Sequence, residues 1–219
     1  MDKKDFQISD ILGFAWNTTI KNIWFFVGVF LIFLFFSYLP TVAQLILQHI
    51  RPPQPIYGIL YVSFMVIGWI ISIAINIGVI RIMLSFIDGQ KPAVSTLFDA
   101  GGVFWKYLGT VILYGLIVIG GLLLFIVPGI IWAVKFLFAQ WIVVDTGCGP
   151  IEALKRSSAA TYGLKWQILG FYVICVLIIY AGFFALLVGA FVTMPIFFLA
   201  LALLYRQLSA QTFKLQLTA

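Results

Sequence analysis

The 219 residues are 63% hydrophobic and only 9% charged, with a mean hydropathy of +1.15, whereas a soluble domain carries roughly 25% charge. Such a chain cannot cover itself with polar surface, so a soluble globular fold is excluded and lipid is the solvent for most side chains. The 13 basic and 7 acidic residues leave a net charge of +6, which in a membrane protein reads first as a topology signal; nucleic acid is not an expected partner.

In chain order, apolar runs occupy Ile23 to Leu47, Tyr57 to Ile87, Tyr107 to Val127, Ile130 to Val144, Ile168 to Val188 and Pro195 to Leu208. They predict an all-α integral membrane protein of about six transmembrane helices in three hairpins, forming a single membrane domain over 1–219. Asp2, Asp5 and Asp10 precede the first run and no small-x-small site follows it, so that run is expected to persist as a helix rather than leave as a signal peptide. Pro40 lies inside it and is expected to kink it. The fourth and sixth runs hold 15 and 14 residues, short of the roughly 20 that cross a bilayer. Between the third and fourth, Pro128-Gly129 stands with no polar loop and predicts a tight hairpin there, a re-entrant turn being the alternative.

Orientation follows from the cations. With the N-terminus inside, Lys3, Lys4, Lys21, Lys91, Lys106, Lys155, Arg156, Lys165 and Lys214 fall on the cytoplasmic side, with Arg206 at the last helix end. Only Arg51 falls outside, while Arg81 and Lys135 lie within spans. This asymmetry predicts a bacterial cytoplasmic (inner) membrane protein with both termini cytoplasmic. All seven acids fall on the inner side, and the outer loops are left almost bare of groups that recognise a polar ligand.

The cytoplasmic segments repeat, with units at 6–87, 92–144 and 150–208. An amphipathic stretch precedes each hairpin, and Asp10 to Trp24 and Glu152 to Trp166 are each separated by 14 positions. The middle stretch, Ser95 to Lys106, is shorter by about one helical turn. Each closes on a lysine and a tryptophan, Lys21 with Trp24, Trp105 with Lys106, and Lys165 with Trp166, the pairing expected where an aromatic ring sits at headgroup level beside a cation. The second helix of each hairpin carries one cation, Arg81, Lys135 or Arg206. Each unit is therefore expected to be a cytoplasmic interfacial helix followed by a hairpin.

Val127-Pro128-Gly129-Ile130-Ile131, Val143-Val144-Asp145 and Gly149-Pro150-Ile151-Glu152-Ala153-Leu154-Lys155-Arg156-Ser157 resemble the membrane domain of some glycerophosphoryl diester phosphodiesterases and related bacterial six-helix membrane proteins. The similarity covers about Phe6 to Gln207. It implies a membrane topology and little chemistry, because in such phosphodiesterases the reaction belongs to a separate soluble barrel. With His49 the only histidine and no Glu-x-Asp cluster, no residue here carries over to a phosphodiesterase site.

The residues themselves offer ligand- or lipid-binding candidates: Arg81, Lys135, Lys155, Arg156, Lys165 and Arg206. Arg81 lies seven residues before Asp88, about 10 Å of helix rise, and can reach headgroups by snorkelling. Lys135 lies ten residues before Asp145, about 15 Å; away from the surface it should face Asn76, Gln140 or an anionic lipid group. Asp88, Asp99 and Asp145 follow loops as capping residues would. Gly109, Gly115, Gly120, Gly121, Gly182 and Gly189 leave room for close helix approach, and the Phe-rich first span is expected to face lipid. Cys148 and Cys175 have neither metal spacing nor disulfide context, and no cofactor, metal or catalytic residue is expected. The leading expectation is a non-enzymatic protein that interacts with anionic membrane lipids or supports envelope homeostasis. A small-molecule or lipid transporter and a membrane-bound partner or immunity-type subunit remain open, as does a homo-oligomer.

Overall fold

The computed structural model describes residues 6–50, 53–184 and 189–217, and every regular element among them is helical. Asp2, Lys3, Lys4, Asp5, Arg51 and the end of the expected fifth run at Val188 lie outside the described residues. Nine α-helices are described: α1 Ile8–Lys21, α2 Ile23–Ile50, α3 Gln54–Ile87, α4 Phe104–Leu124, α5 Ile126–Lys135, α6 Ala139–Thr146, α7 Pro150–Ala160, α8 Lys165–Phe184 and α9 Ala190–Leu217. A 3-10 turn, Val94–Phe98, stands between α3 and α4. Six stretches are long and apolar enough to cross a membrane, with α5 and α6 together forming the fourth, Ile126–Thr146. The chain is an all-α multi-pass membrane protein.

Helix α9 is the axis of the bundle and its span is the most buried of the six. Ile196, Leu199, Ala200, Ala202, Leu204 and Leu208 are all enclosed, and α1, α2, α3, α7 and α8 pack around it. The sixth span is therefore not the short Pro195–Leu208 run. It extends over 24 residues, Ala190–Phe213, because Pro195 stands only in the second turn of α9, where few backbone bonds are lost to a ring. The expected link at Gly189 to Met194 is mostly helix.

Helix α1 explains itself through spacing. Ile11, Ala15 and Thr19 are buried at four-residue intervals, one stripe of an α-helix, while Asp10 and Lys21 on other faces are exposed. Asn22 interrupts the chain before α2, its side-chain amide donating back to the Thr18 carbonyl at 2.9 Å. In the middle unit the corresponding stretch forms only the five-residue 3-10 turn, so the expected interfacial helix does not form there. The 16 residues between α3 and α4 are punctuated by Pro92 and by Gly89 and Gly102, both at positive φ, which interrupt an α-helix there.

Helices α2 and α3, 28 and 34 residues long, rise about 42 and 51 Å, more than the roughly 30 Å hydrocarbon core. Helix α2 runs through Pro40, whose ring lies against Gly68 of α3. The phenylalanines of α2 do not all face outward as expected: Phe26 is buried against Phe86, and the Phe30 ring sits edge-on to Phe191 at 4.9 Å. Burial of ring area favours both inward positions, and edge-to-face pairing adds to it for Phe30.

The α4–α5 hairpin turns at Phe125, which is extended (φ −163°, ψ 152°), and not at Pro128-Gly129. Pro128 sits in the first turn of α5, where its missing N–H breaks no helical bond. Gly129 serves proximity instead of bending. A Cβ on Gly121 of α4 would lie 2.9 Å from the Gly129 Cα and 2.7 Å from the Trp132 ring. Gly182 likewise meets Thr193 and Gly189, and Gly109 meets Pro150, while Gly115 and Gly120 face open space.

Candidate functional site

Trp24, Trp105 and Trp166 are each the second residue of a spanning helix, α2, α4 and α8, and are 85%, 78% and 74% exposed. An indole held outward at a helix start has its apolar face available to lipid and its N–H to headgroups. The three partner lysines diverge. Lys21 ends α1 and is exposed. Lys106 turns inward and donates to the Gly147 carbonyl at 2.7 Å, satisfying the end of α6, where Gly147 adopts a left-handed φ of 65°. Lys165 is partly buried beside Trp166.

Three of the six ligand candidates, Arg81, Arg206 and Arg156, are paired with acids. Arg81 pairs with Asp99 and donates to the Gly101 carbonyl at 3.2 Å. Arg206 of α9 reaches Asp88 at 2.6 Å and Asp145 at 2.7 Å, while the Tyr205 hydroxyl donates to the same Asp145 carboxylate at 2.7 Å. These guanidiniums are thus held in ion pairs with the protein's own acids. Asp88 and Asp99 are the C-cap residues of α3 and of the 3-10 turn, where the helix dipole disfavours an anion and the arginines supply the compensating charge, while Asp145 lies inside α6. Arg156 pairs with Glu152 one turn earlier on α7. Among the described residues no acid pairs with Lys135, Lys155 or Lys165.

The fourth span is broken directly after Lys135. Residues 136–138 leave the α-helical pattern before α6 begins, and the freed backbone groups are met from α7. The Ser157 hydroxyl donates to the Lys135 carbonyl at 3.1 Å, the Thr161 hydroxyl lies within hydrogen-bond reach of that carbonyl at 3.1 Å and of the Ser157 carbonyl at 3.0 Å, and the Phe138 N–H donates to the Ser157 oxygen at 3.2 Å. Both side chains are fully buried, where an unpaired carbonyl would cost about 1–3 kcal/mol. Sequence reasoning missed these residues. Their signal was a pair of hydroxyls, four apart, on the same buried side of α7 as Ala153, Leu154 and Ala160.

Lys135 does not meet the polar groups expected for it. The Asn76 amide donates to the Ser72 carbonyl at 2.7 Å, and Gln140 accepts from the Tyr107 hydroxyl at 3.2 Å. Its ammonium instead sits 5.1 Å from the centre of the Phe136 ring. A ring contact returns about 0.5–1 kcal/mol, against about 2.5–3.5 kcal/mol for a lysine at the centre of a span.

Two grooves flank α5. One, about 430 Å³, lies between α5 and α8; Val127, Ile130, Val134 and Leu169 line it, and Lys165 and Trp166 stand at the α8 start. The other, about 420 Å³, lies between α4 and α5 beside Lys135. A third opening, about 550 Å³, borders Asp145, Arg156 and Tyr205, and its charged groups, Asp145 and Arg156, are engaged in the ion pairs above. Among the described residues no cluster of three His, Cys, Asp or Glu side chains is placed to hold a metal. No family model, curated protein or solved structure matches the chain.

Proposed function

We propose that the chain is a non-enzymatic bacterial inner-membrane protein, N-terminus cytoplasmic, that holds anionic phospholipid in the groove between α5 and α8. The observation that carries this reading is the pairing of an apolar groove with a cation lacking an acid partner and an exposed indole at one helix start. An acyl chain matches the Val127–Val134 wall, and a lipid phosphate matches Lys165 beside Trp166. Lys155, exposed on α7, adds positive charge along the same chain segment. Among the described residues no charged side chain is fully buried, and the buried hydroxyls are those of Thr19, Thr110, Ser157, Thr161, Thr193, Tyr107 and Tyr205, which supports a lipid-facing role over an aqueous passage.

The test is native mass spectrometry of the full chain with equal phosphatidylglycerol and phosphatidylcholine. Each lysine near a headgroup layer contributes about 1 kcal/mol toward anionic lipid. A Lys155→Ala, Lys165→Ala variant should therefore lose roughly thirtyfold in selectivity. Unchanged selectivity would reduce both lysines to topology signals and sink the proposal.

A further inference from the structure

Lys135 lies nine residues from Ile126 and eleven from Thr146, the ends of the fourth span, at the break between its two helices. It is thus central to that span by sequence position. The fold holds its backbone through the buried Ser157 hydroxyl, with that of Thr161 in reach, yet offers its ammonium no carboxylate among the described residues. The side chain borders the α4–α5 groove, whose other walls are Leu116, Ile117, Gly120, Leu124, Trp132 and Phe136. Gly120 has open space where a Cβ would stand, so the groove floor is uncrowded.

We propose that this groove binds one free fatty acid, its carboxylate on Lys135 and its chain along α4 toward Leu124. Charge complementarity selects the head: one ammonium matches one monoanion. A phosphate would bring several acceptor oxygens to a site whose hydroxyls, Ser157 and Thr161, already serve the backbone. Shape selects the tail. From Leu116 to Leu124 the wall rises about 12 Å, and a volume of about 420 Å³ lies within the range of small-molecule sites, which favours a single chain over a two-chain lipid. The site differs in residues, groove and ligand from the α5–α8 phospholipid groove.

Trp132, in the groove wall, provides the readout. The full chain in zwitterionic nanodiscs is titrated with dibromostearate at a pH where the acid is ionised, and tryptophan fluorescence is followed, because bromine quenches at contact range. A saturable component of quenching is expected above the non-saturable background from lipid-exposed Trp24, Trp105 and Trp166; that component should be absent in Trp132→Phe, weakened roughly tenfold or more in Lys135→Met, and retained in Lys135→Arg. The uncharged methyl ester should fail to reproduce it in the unaltered protein, a comparison that needs no variant to fold. A dibrominated phosphatidylglycerol should quench without dependence on Lys135. Equal quenching by acid and ester, or wild-type saturation in Lys135→Met, would overturn the proposal. Lys165→Ala should leave the signal unchanged, so failure here and failure of the phospholipid groove are separately visible.

Discussion

Gly78→Ala is expected to be among the most damaging small substitutions in this protein, lowering stability by about 3 kcal/mol. Gly78 is where the Val94–Phe98 turn crosses α3, and a Cβ there would overlap the carbonyl group and Cα of Leu97. The obstacle is backbone, which cannot rotate away as a side chain could. Leu97 is fully enclosed, and its neighbour Asp99 holds Arg81, so displacement of the turn also removes the partner of a cation within the span. Thermal unfolding in detergent reads the effect. Gly115→Ala is the control: nothing lies within 4 Å of its Cβ position, and alanine in a helix is favoured over glycine by about 0.5–1 kcal/mol. Opposite signs for the two substitutions are expected; equal small effects would mean that the turn does not seat on α3 as described.

Arg206→Met is expected to destabilise the bundle by about 2 kcal/mol, less than the 3–5 of a fully buried pair because water still reaches the site. The arginine joins α9 to the end of α3 through Asp88 and to α6 through Asp145. The two legs should be unequal. The Asp145 side chain is 20% exposed and shares the Tyr205 hydroxyl, whereas Asp88 is 41% exposed. Double-mutant cycles should give a coupling of about 1–2 kcal/mol for Arg206 with Asp145 and below about 1 kcal/mol for Arg206 with Asp88. The Asp88 coupling should also fade more with salt. A larger coupling to Asp88, or none to either, would contradict a latch centred on Asp145.

The six spans were legible because runs this apolar leave no solvent but lipid, and the tryptophans marked three span starts to within a residue or two. Two boundaries were misread for one reason: a proline near a helix start is compatible with the helix, so Pro128 and Pro195 fall inside α5 and α9 and do not separate elements. The ion pairs were not legible. Arg206 meets Asp145 and Asp88 across 61 and 118 residues, and a cation near a span end looks the same in sequence whether it snorkels or pairs. Ser157 and Thr161 were visible as residues, but their role depends on a break in another helix, 22 and 26 positions away. Lys135 and Lys165 were legible as candidates, while the grooves beside them depend on how α5 packs between α4 and α8.

The most direct test of the lipid-binding account is position-resolved crosslinking, using phosphatidylglycerol with a photoactivatable group on its acyl chain and peptide mapping of the labelled full-length protein. The account predicts labels concentrated on Val127 to Val134 and Lys165 to Leu169, in excess over the equally apolar outward surface of α2 and α3 at Leu45 and Ile59, and lost from the groove in Lys165→Ala. Labelling that follows apolar exposure alone, heaviest on the α2–α3 hairpin and unchanged by Lys165→Ala, would contradict it.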